Sequence, residues 1–114
     1  MTTVHQWDIV RFKIRPTDKD AHPGIILSGE EWCRDSRELL LNVMACTKRV
    51  PAEGAKPYNT LLNGADGLEF QTLVDCRFIH IAPKAGVSEI IGRVSPERRK
   101  AIGRKINEVL RLSL

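Results

Sequence analysis

"LLLNVMACT", residues 39–47, decides how the rest of the chain is read. The polar, irregular stretch "EEWCRDSRE" (30–38) precedes it and two cations, Lys48 and Arg49, follow it. An apolar run of this length, closed off by polar residues on both sides, reads as a central strand covered on both faces. Thr47 is then the last residue of that strand, with a hydroxyl and two positive charges at its mouth.

Working outward, "WDIVRFKI" (7–14) alternates Val10, Phe12 and Ile14 with Arg11 and Lys13, a period of two that predicts a half-buried strand. "RPTDKDAHPG" (15–24) is dense in turn residues, so it reads as an exposed loop that delivers His22 to the start of the short apolar run "GIIL". Residues 48–67 carry two prolines and three glycines with little periodicity, which predicts a long loop with a short strand at "YNTLL". Strand alternation resumes in "QTLVDCRFIHIAP" (71–83), with Leu73, Phe78, Ile79 and Ile81 available to the core, and a further strand is expected in "AGVSEIIGRV".

"SPERRKAIGRKINEVLRL" (95–112) is the clearest helix. Ser95 is a suitable N-cap, Pro96 fits the first helical position, and Glu97 favours the positive end of the dipole. Ile102, Ile106, Val109 and Leu110 share one face, opposite Lys100, Arg104, Asn107 and Arg111. Gly103 costs about 1 kcal/mol relative to alanine, which points to a close packing contact. The expected architecture is mainly antiparallel β with one C-terminal helix, a single domain over residues 1–114.

Composition narrows the chemistry. Three cysteines, Cys33, Cys46 and Cys76, are odd in number and widely spaced, and no Cys/His ladder or histidine pair at helical spacing exists, so neither disulfides nor a metal site is expected. Cys46 reads as a small buried hydrophobe rather than a nucleophile. Trp7 and Trp32 read as core or interface anchors. No apolar stretch approaches the roughly 18 residues of a spanning helix, and "MTTVHQWD" lacks the regions of a signal peptide, which predicts a soluble, cytoplasmic protein. Net charge is +4, and the segment from Arg93 onward holds seven basic residues against two acidic ones, a pattern that suits an anionic partner or a solvated helix face.

No phosphate-binding glycine loop or Ser/His/Asp signature is present. What remains is a distributed set: His22, Thr47, and the cations Lys13, Arg15, Lys19, Lys48 and Arg49. If the strands around Ile9, Ile25 and Leu40 pair in one curled sheet, these residues lie along one edge as a basic, hydroxyl-bearing groove. Such a groove suits RNA, whose cleavage through its own 2'-hydroxyl needs a base, an acid for the departing 5'-oxygen and positive charge on the phosphate, and no metal or other cofactor. The plainer readings stay open at this point: His22 as an exposed turn residue, Thr47 satisfying backbone at a strand end, Lys48 and Arg49 as a solvated edge.

The succession of "WDIV", "HPGIILS", a strand ending in "ACT", "DGL", "TLVDCRFI" and the "IGRVSPERRKAIGRKINEVLRL" tail resembles the MazF/PemK toxins of bacterial toxin–antitoxin modules over nearly the whole length. The resemblance implies an SH3-like, CcdB-like barrel, a homodimer, and metal-independent cleavage of single-stranded RNA (mRNA) that arrests growth. It also implies an antitoxin partner whose acidic tail lies across the RNA groove. Thr47 falls on the family's catalytic threonine, and His22 falls where the family has its catalytic arginine. Arg15, Lys19, Lys48 and Arg49 are the expected RNA-binding cations. Arginine is permanently charged and binds phosphate bidentately, so a histidine there changes the chemistry. The alternative is a dimeric module of the same fold that binds nucleic acid or an acidic peptide without cleaving it. A gyrase poison of CcdB type would share only the architecture.

Overall fold

The apolar run at 39–47 forms strand β3 (Leu40–Thr47), and the sheet is assembled on it. The computed structural model describes residues 3–114; Met1 and Thr2, which open the segment read for targeting signals, lie outside the described residues. Before β3 come β1 (Asp8–Phe12), β2 (His22–Ile26) and a short helix α1 (Glu30–Arg34). After it come β4 (Asn59–Leu62), β5 (Thr72–Asp75), β6 (His80–Pro83), β7 (Val87–Arg93) and the helix α2 (Pro96–Leu110). The strands form one curled antiparallel sheet in the order β4-β5-β3-β2-β1-β7, with β6 also paired to β3. Among the described residues, no helix is long and apolar enough to cross a membrane.

One edge of β3 pairs with β2, Met44 opposite Ile25 and Val43 opposite Ile26. Its other edge is divided: Leu41 stands opposite Ala82 of β6, and Cys46 opposite Val74 of β5. Because side chains alternate along a strand, the sheet has a core on each face. Val10, Phe12, Ile26, Leu41, Val43 and Ala82 make the first, closed by Val4 and Cys33. Ile9, Ile25, Met44, Val74 and Cys76 make the second, closed by Ile102 of α2. A register slip of one residue between β2 and β3 would exchange the two sets, so the pairing is strongly specified.

This arrangement corrects several expectations. β1 is covered on both faces, Val10 and Phe12 entering one core and Ile9 the other, while Ile14 lies beyond the strand and is exposed. Residues 71–83 do not run as one strand. The Asp75 carboxylate accepts from the Arg77 amide at 3.0 Å, a local turn that breaks the ladder and leaves Phe78, Ile79 and Ile81 exposed. The stretch read as irregular holds α1, whose terminal carbonyls are satisfied by Lys84: its buried ammonium donates to the carbonyls of Trp32, Cys33 and Asp35 at 2.7, 3.2 and 2.9 Å. Trp7 packs against the second core and Trp32 is about half exposed.

The N-terminus of α2 is held by an unexpected residue. Ser95 makes no side-chain cap; instead its backbone N–H donates to the buried Asp66 carboxylate at 2.9 Å. Asp66 also accepts from the Asn63 amide at 3.0 Å and lies 3.5 Å from Arg98 Nε. Gly92 completes the junction, since a Cβ there would fall 2.5 Å from the Asp66 carbonyl oxygen. Gly103, by contrast, has open space where a Cβ would stand, so the expected close contact is absent. Arg93 donates to the buried Asp8 carboxylate at 2.8 Å, fixing one end of the pairing between β1 and β7.

Two substitutions test this account by urea denaturation. Asp66→Ala strands the Ser95 and Asn63 amides and the Arg98 charge, and is expected to cost about 3 kcal/mol. Gly103→Ala is expected to stabilise by up to about 1 kcal/mol, because the helix gains propensity without a clash.

Candidate active site

Side-chain parity on β3 decides which of the candidate residues meet. Ala45 and Thr47 point to the face that carries the first core, beyond its last buried residue, Val43. Gly24 is the partner of Ala45, and His22 precedes it by two, so His22 belongs to the same face. His80 of β6 pairs with Val43 and belongs there too. Past the end of the first core, this face is open, and Ala45 is its floor.

Two adjoining cavities share Ala45. One, of about 350 Å³, is lined by Phe12, Ile14, Ala45 and the side of the 14–20 loop with Asp18, Lys19 and Asp20; His22 and His80 both reach it. Gly24 is required beneath: a Cβ there would collide with the Phe12 ring, which lies across the strand and walls the cavity. The other, of about 330 Å³, holds Thr47 and Arg49 with Lys56, Tyr58, Asp75 and Arg77. The Thr47 hydroxyl oxygen accepts from the Arg49 amide at 3.2 Å.

The sequence candidates thus fall into separate groups. His22 and Lys19 share one cavity, and Thr47 and Arg49 the next. Lys48 has the opposite parity and points to the other face of the sheet, where its ammonium lies 5.4 Å from the Phe70 ring beside Arg11 and Glu89. Arg15 lines neither of the two cavities; its amide donates to Asp18 Oδ2 at 3.0 Å, which shapes the loop. The Asp18 carboxylate also accepts from the Ile14 amide at 3.1 Å, so it is engaged within the loop. Cys46 turns into the second core, where burial pushes its thiol far above the ordinary range, the state of an inert cysteine.

Around Thr47 the charges are partly neutralised. Arg77 binds Asp75 through two hydrogen bonds of 3.0 and 2.9 Å, and its guanidinium stacks 3.7 Å from the centre of the Tyr58 ring. Lys56 pairs with Glu53 at 3.2 Å. Arg49 is without an acidic partner among the described residues. His80, Tyr58, Asp75 and Arg77 were not among the sequence candidates. The signal for His80 was its alternation with Ala82, hidden when 71–83 is read as one strand; for the charge pair it was the Asp-x-Arg spacing of a local turn.

The Arg77 guanidinium holds the Asp75 carboxyl below its ordinary range of about 3.9. A depressed carboxyl contributes stability that is complete above that ordinary value and is lost as pH falls through the lowered one. Arg77→Gln is therefore expected to move the Asp75 titration upward, read by carboxyl-carbon NMR; an unmoved titration would assign the depression to another group.

No protein-family model and no curated protein matches this sequence. Solved structures do. An endoribonuclease in complex with its cognate antitoxin, from a mycobacterial species, superposes with a TM-score of 0.76 at 18% identity over 100% of this chain and 99% of that one. An endoribonuclease from a mycobacterial species gives 0.77 at 18% identity over 100% and 97%. The MazE–MazF structure from Deinococcus radiodurans gives 0.75 at 13% identity over 99% and 100%. At these identities the likeness is one of fold: the chain has the curled antiparallel half-barrel and C-terminal helix of the MazF toxins from end to end.

Proposed function

We propose that this protein is the toxin of a toxin–antitoxin module, an endoribonuclease that cuts single-stranded RNA by attack of the 2'-hydroxyl on the adjacent phosphorus. The observation that carries the reading is the placing of an imidazole and a hydroxyl, His22 and Thr47, on one open face to either side of Ala45. A fold matched end to end by endoribonucleases, one of them solved with its antitoxin, supports it.

In this reading the strand of RNA lies across Ala45. Thr47 donates a hydrogen bond to a phosphate oxygen, and Arg49 holds the charge that grows there. His22 moves a proton at the sugar hydroxyl or the departing oxygen, work an imidazole does near neutral pH. Lys19 adds positive charge to the approach, and Arg15 and Lys48 engage flanking phosphates from outside the two cavities. The reaction needs no metal. A homodimer in the cytoplasm, held inactive by an antitoxin with an acidic segment over the same face, completes the proposal.

A second reading, a binding module of the same fold for nucleic acid or an acidic peptide, draws on a specific observation. Lys56 and Arg77, two of the three cations around Thr47, are already paired with Glu53 and Asp75, and the remaining positive charge is modest for a nuclease.

Incubation with a long single-stranded RNA in EDTA separates the two. Wild type is expected to leave 2',3'-cyclic phosphate and 5'-hydroxyl ends, and Thr47→Ala to lose at least about a hundredfold in rate while costing under about 1 kcal/mol of stability, since only one exposed hydrogen bond goes. RNA binding that weakens with salt, with no product formed, would establish the binding module instead.

A further inference from the structure

The histidine that sequence reasoning passed over occupies the same cavity as the one it chose. His22 opens β2 and His80 opens β6, on opposite sides of β3, and parity turns both to the face where Ala45 presents only a methyl group. The Phe12 ring and the 14–20 loop close the sides. Three groups on that loop bring charge to the space: Lys19, positive; Asp20, negative; and Asp18, whose carboxylate is engaged by two loop amides. From the far side, Asp75 lies within electrostatic reach of His80 and is itself bound by Arg77.

We propose that His80 is the second half of the site: His22 and His80 together receive one phosphate of an RNA strand over Ala45 and act on it as an acid–base pair. Two imidazoles in one cavity supply what one cannot, a base and an acid present in the same turnover. The neutral ring takes the proton of the 2'-hydroxyl as the bond from the 2'-oxygen to phosphorus forms. The protonated ring gives its proton to the 5'-oxygen as the bond from phosphorus to that oxygen breaks. The products are a 2',3'-cyclic phosphate and a 5'-hydroxyl, one proton having entered one ring and left the other. The pair also accounts for how a histidine serves at position 22, since the charge that a permanent cation would carry is held by whichever ring is protonated.

The proton transfers rest on the endoribonuclease reading, whereas the shared phosphate site does not, and the test keeps them apart. Inorganic phosphate is titrated into the protein while the imidazole C–H signals of its three histidines are followed by NMR. His22 and His80 are expected to shift along one binding curve, and His5, which pairs with Glu30 at 3.0 Å outside this cavity, to stay in place. Ala45→Met fills the floor while keeping both imidazoles in the chain and is expected to weaken phosphate at least about tenfold; His80→Gln, at a partly buried position, is expected to remove the response of His22. An unmoved His80, two unrelated curves, or unchanged affinity in both variants overturns the proposal.

RNA cleavage is then followed against pH. Wild type is expected to give a bell-shaped kcat/KM profile, and His80→Gln to lose one limb and about a hundredfold in rate. A wild type that cleaves with the same profile after His80→Gln overturns the pair and leaves the nuclease standing. A wild type that binds phosphate on both rings and cuts no RNA supports the anion site and overturns the endoribonuclease reading with its proton transfers.

Discussion

β3 is hydrogen-bonded along both edges to three other strands, and the alternation of its side chains distributes the whole molecule between two faces. Its even residues, Met44 and Cys46, build the core under α2; its odd residues, Leu41 and Val43, build the other core and then, from Ala45 onward, run out into solvent. The open face is therefore the continuation of a core from which the covering elements have ended. That origin gives the site a rigid floor, because Ala45 is held between Gly24 and the divided pairing of β5 and β6. Groups placed at the ends of strands in a well-packed sheet keep their spacing better than groups on loops.

Electrostatics on that face are arranged in two styles. In the Thr47 cavity, two of the three cations are fixed by partners, Arg77 by Asp75 and by the Tyr58 ring and Lys56 by Glu53, while Arg49 has no acidic partner among the described residues. Fixed charge of this kind orients a ligand and contributes little net attraction. In the neighbouring cavity the charge is titratable, carried by two imidazoles beside Lys19 and Asp20. On the proposed reading, a phosphate that spans Ala45 meets fixed charge on one side and two imidazoles on the other.

How much of this was legible in the sequence follows from which residues answer to local rules. The apolar run of β3, the presence of a strand at β1 though not its burial on both faces, the "HPG" entry to β2 and the Pro96 start of α2 answer to period and turn chemistry, so they were readable. Thr47 and His22 could be placed on one edge because both sit where a strand meets a turn. What was not readable depended on contacts between distant residues. Lys84 caps a helix about fifty positions earlier in the chain, and Asp66 satisfies the amide of Ser95; neither pairing leaves a local pattern. Reading 71–83 as one strand erased the break at Asp75, and with it the parity that brings His80 to the open face. Lys48 was grouped with Thr47 by adjacency, although a period of two already sends neighbours to opposite faces.

The pairing of β1 with β7 sets a condition on how this chain comes into being. Asp8 is bound by Arg93, and the carbonyl of Trp7 accepts from the amide of Val94 at 3.0 Å, so β1 receives its outer neighbour from residues 85 positions further along the chain. Long separations of this kind slow folding, and until they are satisfied β1 presents an unpaired edge. During synthesis from the N-terminus, β1 and β2 emerge long before the residues that cover them. The groove above Ala45 is in the same position, since its wall at His80 belongs to a strand made after two-thirds of the chain. The open face is complete only once β6 is in place, so a chain ended before residue 80 would lack its wall at His80 and one ended before residue 87 would also lack the pairing that closes β1.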